Sequence, residues 1–147
     1  MGLACNRRDR LMAPTESKGA QLVPTALAVA LGGALGAAGR YGLDRFIERQ
    51  SFAVFPWSTF TINVSGCLLI GLLITGVVDR HAGPAWLRVG LAMGLLGGYT
   101  TFSTFAQETL DLLEESRPLL AVVYAAGSVG AGVAAVVVGM QIGRALA

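Results

Sequence analysis

Long uncharged stretches alternate with short charged ones along this chain, and that alternation is its strongest signal. Residues 21–39, 55–78, 89–107 and 119–143 contain no Asp, Glu, Lys or Arg. A bilayer core about 30 Å thick is crossed by about 20 apolar residues in a helix rising ~1.5 Å per residue. Each stretch is near that length or beyond it, so the pattern predicts four transmembrane helices. A soluble fold has no room to hide four such helices in 147 residues. Span one is expected from about Pro24 to Tyr41, with helical continuation toward Arg49; the set Asp44, Arg45, Glu48 and Arg49 reads as the loop that follows. Span two is expected over about Phe55 to Val78, with Pro56 suited to a first helical turn. The run Asp79-Arg80-His81-Ala82-Gly83-Pro84 reads as a tight polar turn. Span three then starts near Trp86 and runs past Glu108 to about Leu113, and Arg117-Pro118 opens span four, which ends at Arg144.

Composition agrees with this reading. Hydrophobic residues make up 54% of the chain and charged residues 14%, against roughly 25% charged in soluble domains. The net charge of +2 comes from the ends and loops, so it gives no footprint for nucleic acid. Cys5 lies in the tail and Cys67 inside a span, which gives no disulfide framework. Residues 1–20 are polar and basic and read as a disordered tail ahead of a four-helix channel domain at 21–147. Of 20 glycines, most lie in the spans, with Gly32/Gly36, Gly90/Gly94, Gly94/Gly98 and Gly139/Gly143 each four apart. Small faces of this kind let helix backbones approach closely in lipid, so an oligomer is expected. Seven basic residues fall on the side of the N-terminus and four on the other. Without the tail the bias vanishes, as a subunit inserted in both orientations requires.

Polar groups at membrane depth face protein or a water-filled path. In span two, Thr59 and Asn63 are four apart and share a helical face; the Asn amide offers two N–H donors without a full charge. Span three carries Gly97-Gly98-Tyr99-Thr100-Thr101-Phe102-Ser103-Thr104-Phe105. Paired glycines followed by β-branched polar residues weaken a helix, and the carbonyls so released need protein, water or an ion. Aromatic rings have a positive edge, so Phe102 and Phe105 are candidates to line an anion path edge-on. Tyr124 and Ser128 put two hydroxyls on one face of span four, with Gly132 continuing it, and Arg40 ends span one where it focuses anions or anchors at the interface. Glu108 marks either a vestibule or the membrane edge. Each of these features also serves ordinary helix packing. No nucleophile–base set, phosphate loop or metal cluster is visible, so no enzyme is expected.

Taken together, these residues resemble the Fluc/CrcB family of fluoride channels. The matching elements are Gly32-Gly33-Ala34-Leu35-Gly36-Ala37-Ala38-Gly39-Arg40-Tyr41, Thr59 with Asn63-Val64-Ser65-Gly66, and the Gly97–Phe105 run, within about residues 24–144. The resemblance implies an all-α membrane protein of four helices, the third broken in mid-membrane, paired as an antiparallel dual-topology dimer. It also implies two fluoride pores and a central structural sodium ion that is not transported. On that pattern Asn63 donates to fluoride, and Phe102 and Phe105 supply ring edges. Ser103, Thr104, Thr59, Tyr124 and Ser128 line the pore, Arg40 sits in the vestibule, and Gly97 and Thr100 offer main-chain carbonyls to sodium. Gly132 departs from the pattern, since some members carry a hydroxyl there. No Lys or Arg lies in mid-span to trap an ion, which fits passive export of fluoride across the cell membrane by a homodimer or a pair with an oppositely inserted paralogue. Two alternatives use the same four spans. A drug exporter of the small multidrug type requires a mid-span acid, which span one lacks; in a membrane scaffold the polar residues only join helices.

Overall fold

A computed structural model describes residues 16–50, 53–78 and 84–146, with side chains at 22–50, 53–76 and 84–146. Residues 1–15 of the expected tail and residues 79–83 of the polar turn lie outside the described residues. Among the described residues every regular element is helical. These are α1 (Glu16–Gln50), α2 (Trp57–Leu73), α3 (Ala85–Val89), α4 (Gly97–Tyr99), α5 (Phe102–Glu114) and α6 (Pro118–Ala145). Wider π-helical turns extend α2 over Ile74–Val78 and join α3 to α4 over Gly90–Leu96. Three helical stretches are long and apolar enough to cross a membrane: Leu22–Gln50, Trp57–Gly76 and Pro118–Ala145.

Two boundaries differ from the sequence reading. Helix α1 starts at Glu16, inside the segment read as tail, and continues through Asp44, Arg45, Glu48 and Arg49 to Gln50: the helical continuation toward Arg49 is present, and no loop begins among these charges. Neither Gly nor Pro interrupts 43–50. There the charges support the helix: Arg45 pairs with Glu48 at 2.9 Å, one turn on, and its guanidinium lies 5.5 Å from the Tyr41 ring centre. The α5–α6 corner is a Schellman turn, in which Arg117 N–H donates to Leu112 O (2.9 Å) and Ser116 N–H to Leu113 O (3.0 Å). Ser116 takes φ 59° there, a conformation in which Gly would be unstrained.

The helices associate in two pairs, α1 along the 85–99 segment and α2 along α6. Glycine makes both contacts possible. A Cβ on Gly32 would stand 2.6 Å from Gly90 O and 2.9 Å from Leu95 N, and one on Gly139 would stand 3.0 Å from Leu72 N and collide with Leu68 O. Backbones this close gain dispersion contacts that lipid tails cannot match, the source of helix association where no hydrophobic drive exists. At the corner, Leu112, Ala121 and Tyr124 form a small buried cluster with Phe55, Phe60, Phe105 and Leu120 against it. Elsewhere the chain turns apolar side chains outward. Leu27, Leu31 and Leu35 are 58%, 66% and 69% exposed along one stripe of α1, as suits a lipid or partner-facing surface.

Candidate ion site

The site grows from one local departure from helix. Thr100 (φ −78°, ψ 159°) and Thr101 (φ −147°, ψ 116°) are extended between α4 and α5. Extended backbone there loses helical hydrogen bonds, and Asn63 on α2 replaces two of them. Its Nδ2 donates to Thr101 O (3.0 Å) and its Oδ1 accepts from Thr101 N–H (2.9 Å), so one amide grips the main chain of one residue on both sides of its Cα. The Thr101 hydroxyl then caps α5 by accepting from Thr104 N–H (3.3 Å), and lies 2.9 Å from Thr104 Oγ1 and 3.4 Å from Ser103 Oγ.

These substitutions release two carbonyls. In a continuous helix, Thr101 N–H would bond Gly97 O and Thr104 N–H would bond Thr100 O. Both donors are engaged elsewhere, by Asn63 and by Thr101 Oγ1. Gly97 and Thr100 thus present main-chain oxygens of the hard type that alkali and alkaline-earth cations take. Arg40 steadies the turn between them, its Nε donating to Gly98 O at 3.3 Å.

Two cavities flank the extended pair. One, of about 180 Å³, is lined by Ala37, Arg40, Tyr41, Asp44, Thr59, Ile62, Thr101 and Thr104. The other, of about 260 Å³, is lined by Asn63, Cys67, Thr100, Thr101, Phe102, Phe105, Ser128 and Val129. The second holds Ser128 Oγ, a buried hydroxyl without a hydrogen-bond partner among the described residues. An orphaned donor costs about 1–3 kcal/mol in apolar surroundings, and this oxygen is almost wholly covered by its neighbours. Asn63 adds its second amide proton, since Nδ2 carries two and one goes to Thr101. The Phe102 and Phe105 ring centres are 5.7 Å apart; Phe102 is 79% exposed, and Phe105 packs 5.2 Å from the Tyr124 ring.

The structure thus brings Asn63, Phe102, Phe105 and Ser128 to one cavity and Arg40, Thr59 and Thr104 to the other, with Thr100 beside the first. Ser103 is exposed and belongs to the Thr101 hydroxyl cluster. Thr59 and Tyr124 are 2% and 0% exposed. Both hydroxyls donate to Glu108, at 2.7 Å and 2.6 Å, so their protons meet a carboxylate. Glu108 is the residue whose importance sequence reasoning underrated. Its signal was its place one helical turn after Thr104, on the face that looks back at Thr59 and Tyr124.

An all-helical protein of several membrane-crossing helices, with uncharged donors gathered around an extended joint, belongs to the class of multi-pass channels and transporters. The model of one family, CrcB-like protein, Camphor Resistance (CrcB), matches residues 27–140. The chain is 45% identical over 118 residues to the fluoride-specific ion channel FluC of Chloroflexus aurantiacus, covering 80% of this chain and 94% of that protein. To the fluoride-specific ion channel FluC of Acidobacterium capsulatum it is 47% identical over 118 residues (79% and 93%). To that of Paracoccus denitrificans it is 44% identical over 122 residues (83% and 96%). The chain belongs to the CrcB family.

Proposed function

We propose that this protein is a fluoride channel, on the strength of its family and of the donors gathered beside the Thr100–Thr101 joint. It is not an enzyme; it is a multi-pass protein of the cell membrane that passes fluoride out of the cytoplasm and so limits its toxicity. The observation that carries the site is the meeting of Ser128's unpartnered hydroxyl and Asn63's amide in one cavity with two phenylalanine rings. Fluoride is small and strongly hydrated, and it crosses lipid only where protein donors replace its water. Uncharged donors bind it weakly enough that it also leaves. Asn63 and Ser128 would donate, and the edges of Phe102 and Phe105 would complete the shell. Ser103 and Thr104 would carry the ion onward past the start of α5. Thr59 would line the Arg40 cavity with its proton turned to Glu108, Tyr124 would sit behind the path holding Glu108 from the buried side, and Arg40 would raise the local anion concentration in its vestibule.

The finer architecture follows from the same residues. The 85–114 segment acts as one membrane crossing broken at Thr100–Thr101, making four crossings. Two copies, or this chain and an oppositely inserted paralogue, pair antiparallel. The outward turn of Phe102 and of the α1 leucine stripe supports such a partner. Gly97 and Thr100 fit a structural sodium ion, because the N–H groups that would occupy their carbonyls are bonded elsewhere. Two carbonyls per chain call for a second chain to complete the shell. When bound, sodium would neutralise the converging carbonyl dipoles and tie the two joints together. The channel domain takes in residues 21–147, and α1 begins ahead of it at Glu16.

A fluoride electrode outside proteoliposomes loaded with potassium fluoride tests this directly. Addition of a potassium ionophore should release fluoride rapidly, with chloride-loaded vesicles showing no comparable chloride loss. Absence of fluoride release from protein of verified assembly would remove the channel reading.

A further inference from the structure

Among the described residues, Thr101 is the one that lines both the Arg40 cavity and the phenylalanine cavity. Its main chain has no freedom, since Asn63 takes both its N–H and its C=O. Its side chain is held differently. The hydroxyl accepts from Thr104 N–H and faces Thr104 Oγ1 at 2.9 Å. Two hydroxyls in contact share one proton and leave the other to point elsewhere. If Thr101 donates to Thr104, the outward proton belongs to Thr104, which lines the Arg40 cavity. If Thr104 donates to Thr101, the outward proton belongs to Thr101, at the junction of the two cavities. Rotation of two hydroxyls therefore moves a donor along the path while every heavy atom stays in place.

We propose that Thr101 is the transfer point between the two cavities, a positioning residue for permeation that hands an anion from the Arg40 side to the Asn63–Ser128 side through its hydroxyl pair with Thr104. The assignment rests on the channel reading and adds a role to a residue that reading leaves unused. A threonine that merely capped α5 would need its acceptor oxygen but no switchable proton, and it would have no reason to border both cavities.

The test compares wild-type protein with Thr101→Ser and Thr101→Val, each reconstituted and checked for assembled size, by fluoride efflux over a range of fluoride concentrations. Serine keeps the hydroxyl and should retain efflux within about threefold. Valine keeps the shape but removes both the proton and the oxygen that caps α5, so unfolding in detergent is read alongside. Efflux at saturating fluoride should slow by about tenfold or more, the scale of one lost hydrogen bond to a charged group, while stability falls by no more than the loss of one helix cap costs. Equal efflux from the valine variant and the wild type overturns the assignment. Silence of the wild type itself defeats the channel reading instead. Should the valine variant not assemble, Thr101→Cys treated with a small cationic methanethiosulfonate decides, with wild type reporting the background reaction of Cys5 and Cys67. Modification that stops efflux, and that fluoride slows, supports the transfer point. A Thr101→Cys variant that conducts unchanged after treatment refutes it.

Discussion

The seam between α2 and α6 and the joint between α4 and α5 both place hydroxyl groups within the bundle, and they treat them in opposite ways. In the seam, buried Thr75 donates back to Gly71 O in the turn before its own, at 3.1 Å, and packs against Gly143. Its polarity is spent locally and the surrounding contact is backbone on backbone. In the joint, Thr101 depends on Asn63 from another helix, Thr59 and Tyr124 reach Glu108, and Ser128 Oγ has no partner among the described residues. A hydroxyl closed on its own helix is glue-neutral structure. One held across elements, or left open to a cavity, is what lipid would penalise unless a ligand answered it.

The largest effect should come from filling the seam. Gly139→Leu drives a side chain into Leu68 O and Leu72 N, and overpacking of a backbone contact costs about 3 kcal/mol or more. Thermal unfolding in detergent and size-exclusion profiles should show loss of the assembled protein. Next comes Asn63→Ala, which strips the partners from both main-chain groups of Thr101 at about 1–3 kcal/mol per unsatisfied group. Efflux should fall about 100-fold or more, while the α2–α6 seam survives as read by retained helical circular dichroism. Ser128→Ala removes one open donor and no hydrogen bond that the folded chain makes, so efflux should drop about tenfold with stability unchanged or slightly raised. The smallest effect belongs to Thr75→Val. Shape is kept and the lost bond is local, so unfolding should shift by less than about 1 kcal/mol and efflux should stay within twofold. A large flux defect in Thr75→Val, or none in Ser128→Ala, would erase the distinction between the two regions.

Three of the four expected crossings were legible because lipid leaves little choice. A long uncharged run favours helix wherever the backbone must satisfy itself, although 89–107 departs from helix at Thr100–Thr101. The glycine spacings at 32/36, 90/94 and 139/143 name the seams directly. At the end of α1 the charges are compatible with either helical continuation or a loop, and the one-turn pair of Arg45 and Glu48 decides for helix. Polar residues in the site were legible as a set but not as partners. Asn63 and Thr101 are 38 residues apart, and Glu108 lies 49 residues from Thr59; no periodicity encodes such pairings. Spacing marks which groups share a face, and it leaves undetermined whether a proton points to a carboxylate, a carbonyl or a cavity.

Asn63→Asp tests the central claim most directly, because it keeps the shape of the side chain and changes only its donors and charge. The carboxylate still accepts from Thr101 N–H but no longer donates to Thr101 O or to an anion, and it sets a negative charge beside the cavity. In proteoliposomes at neutral pH, with assembly matched to wild type, electrode-recorded fluoride efflux should disappear into the protein-free background. Efflux within twofold of wild type would contradict the account, since the ion would then be passing somewhere other than the joint that Asn63 holds.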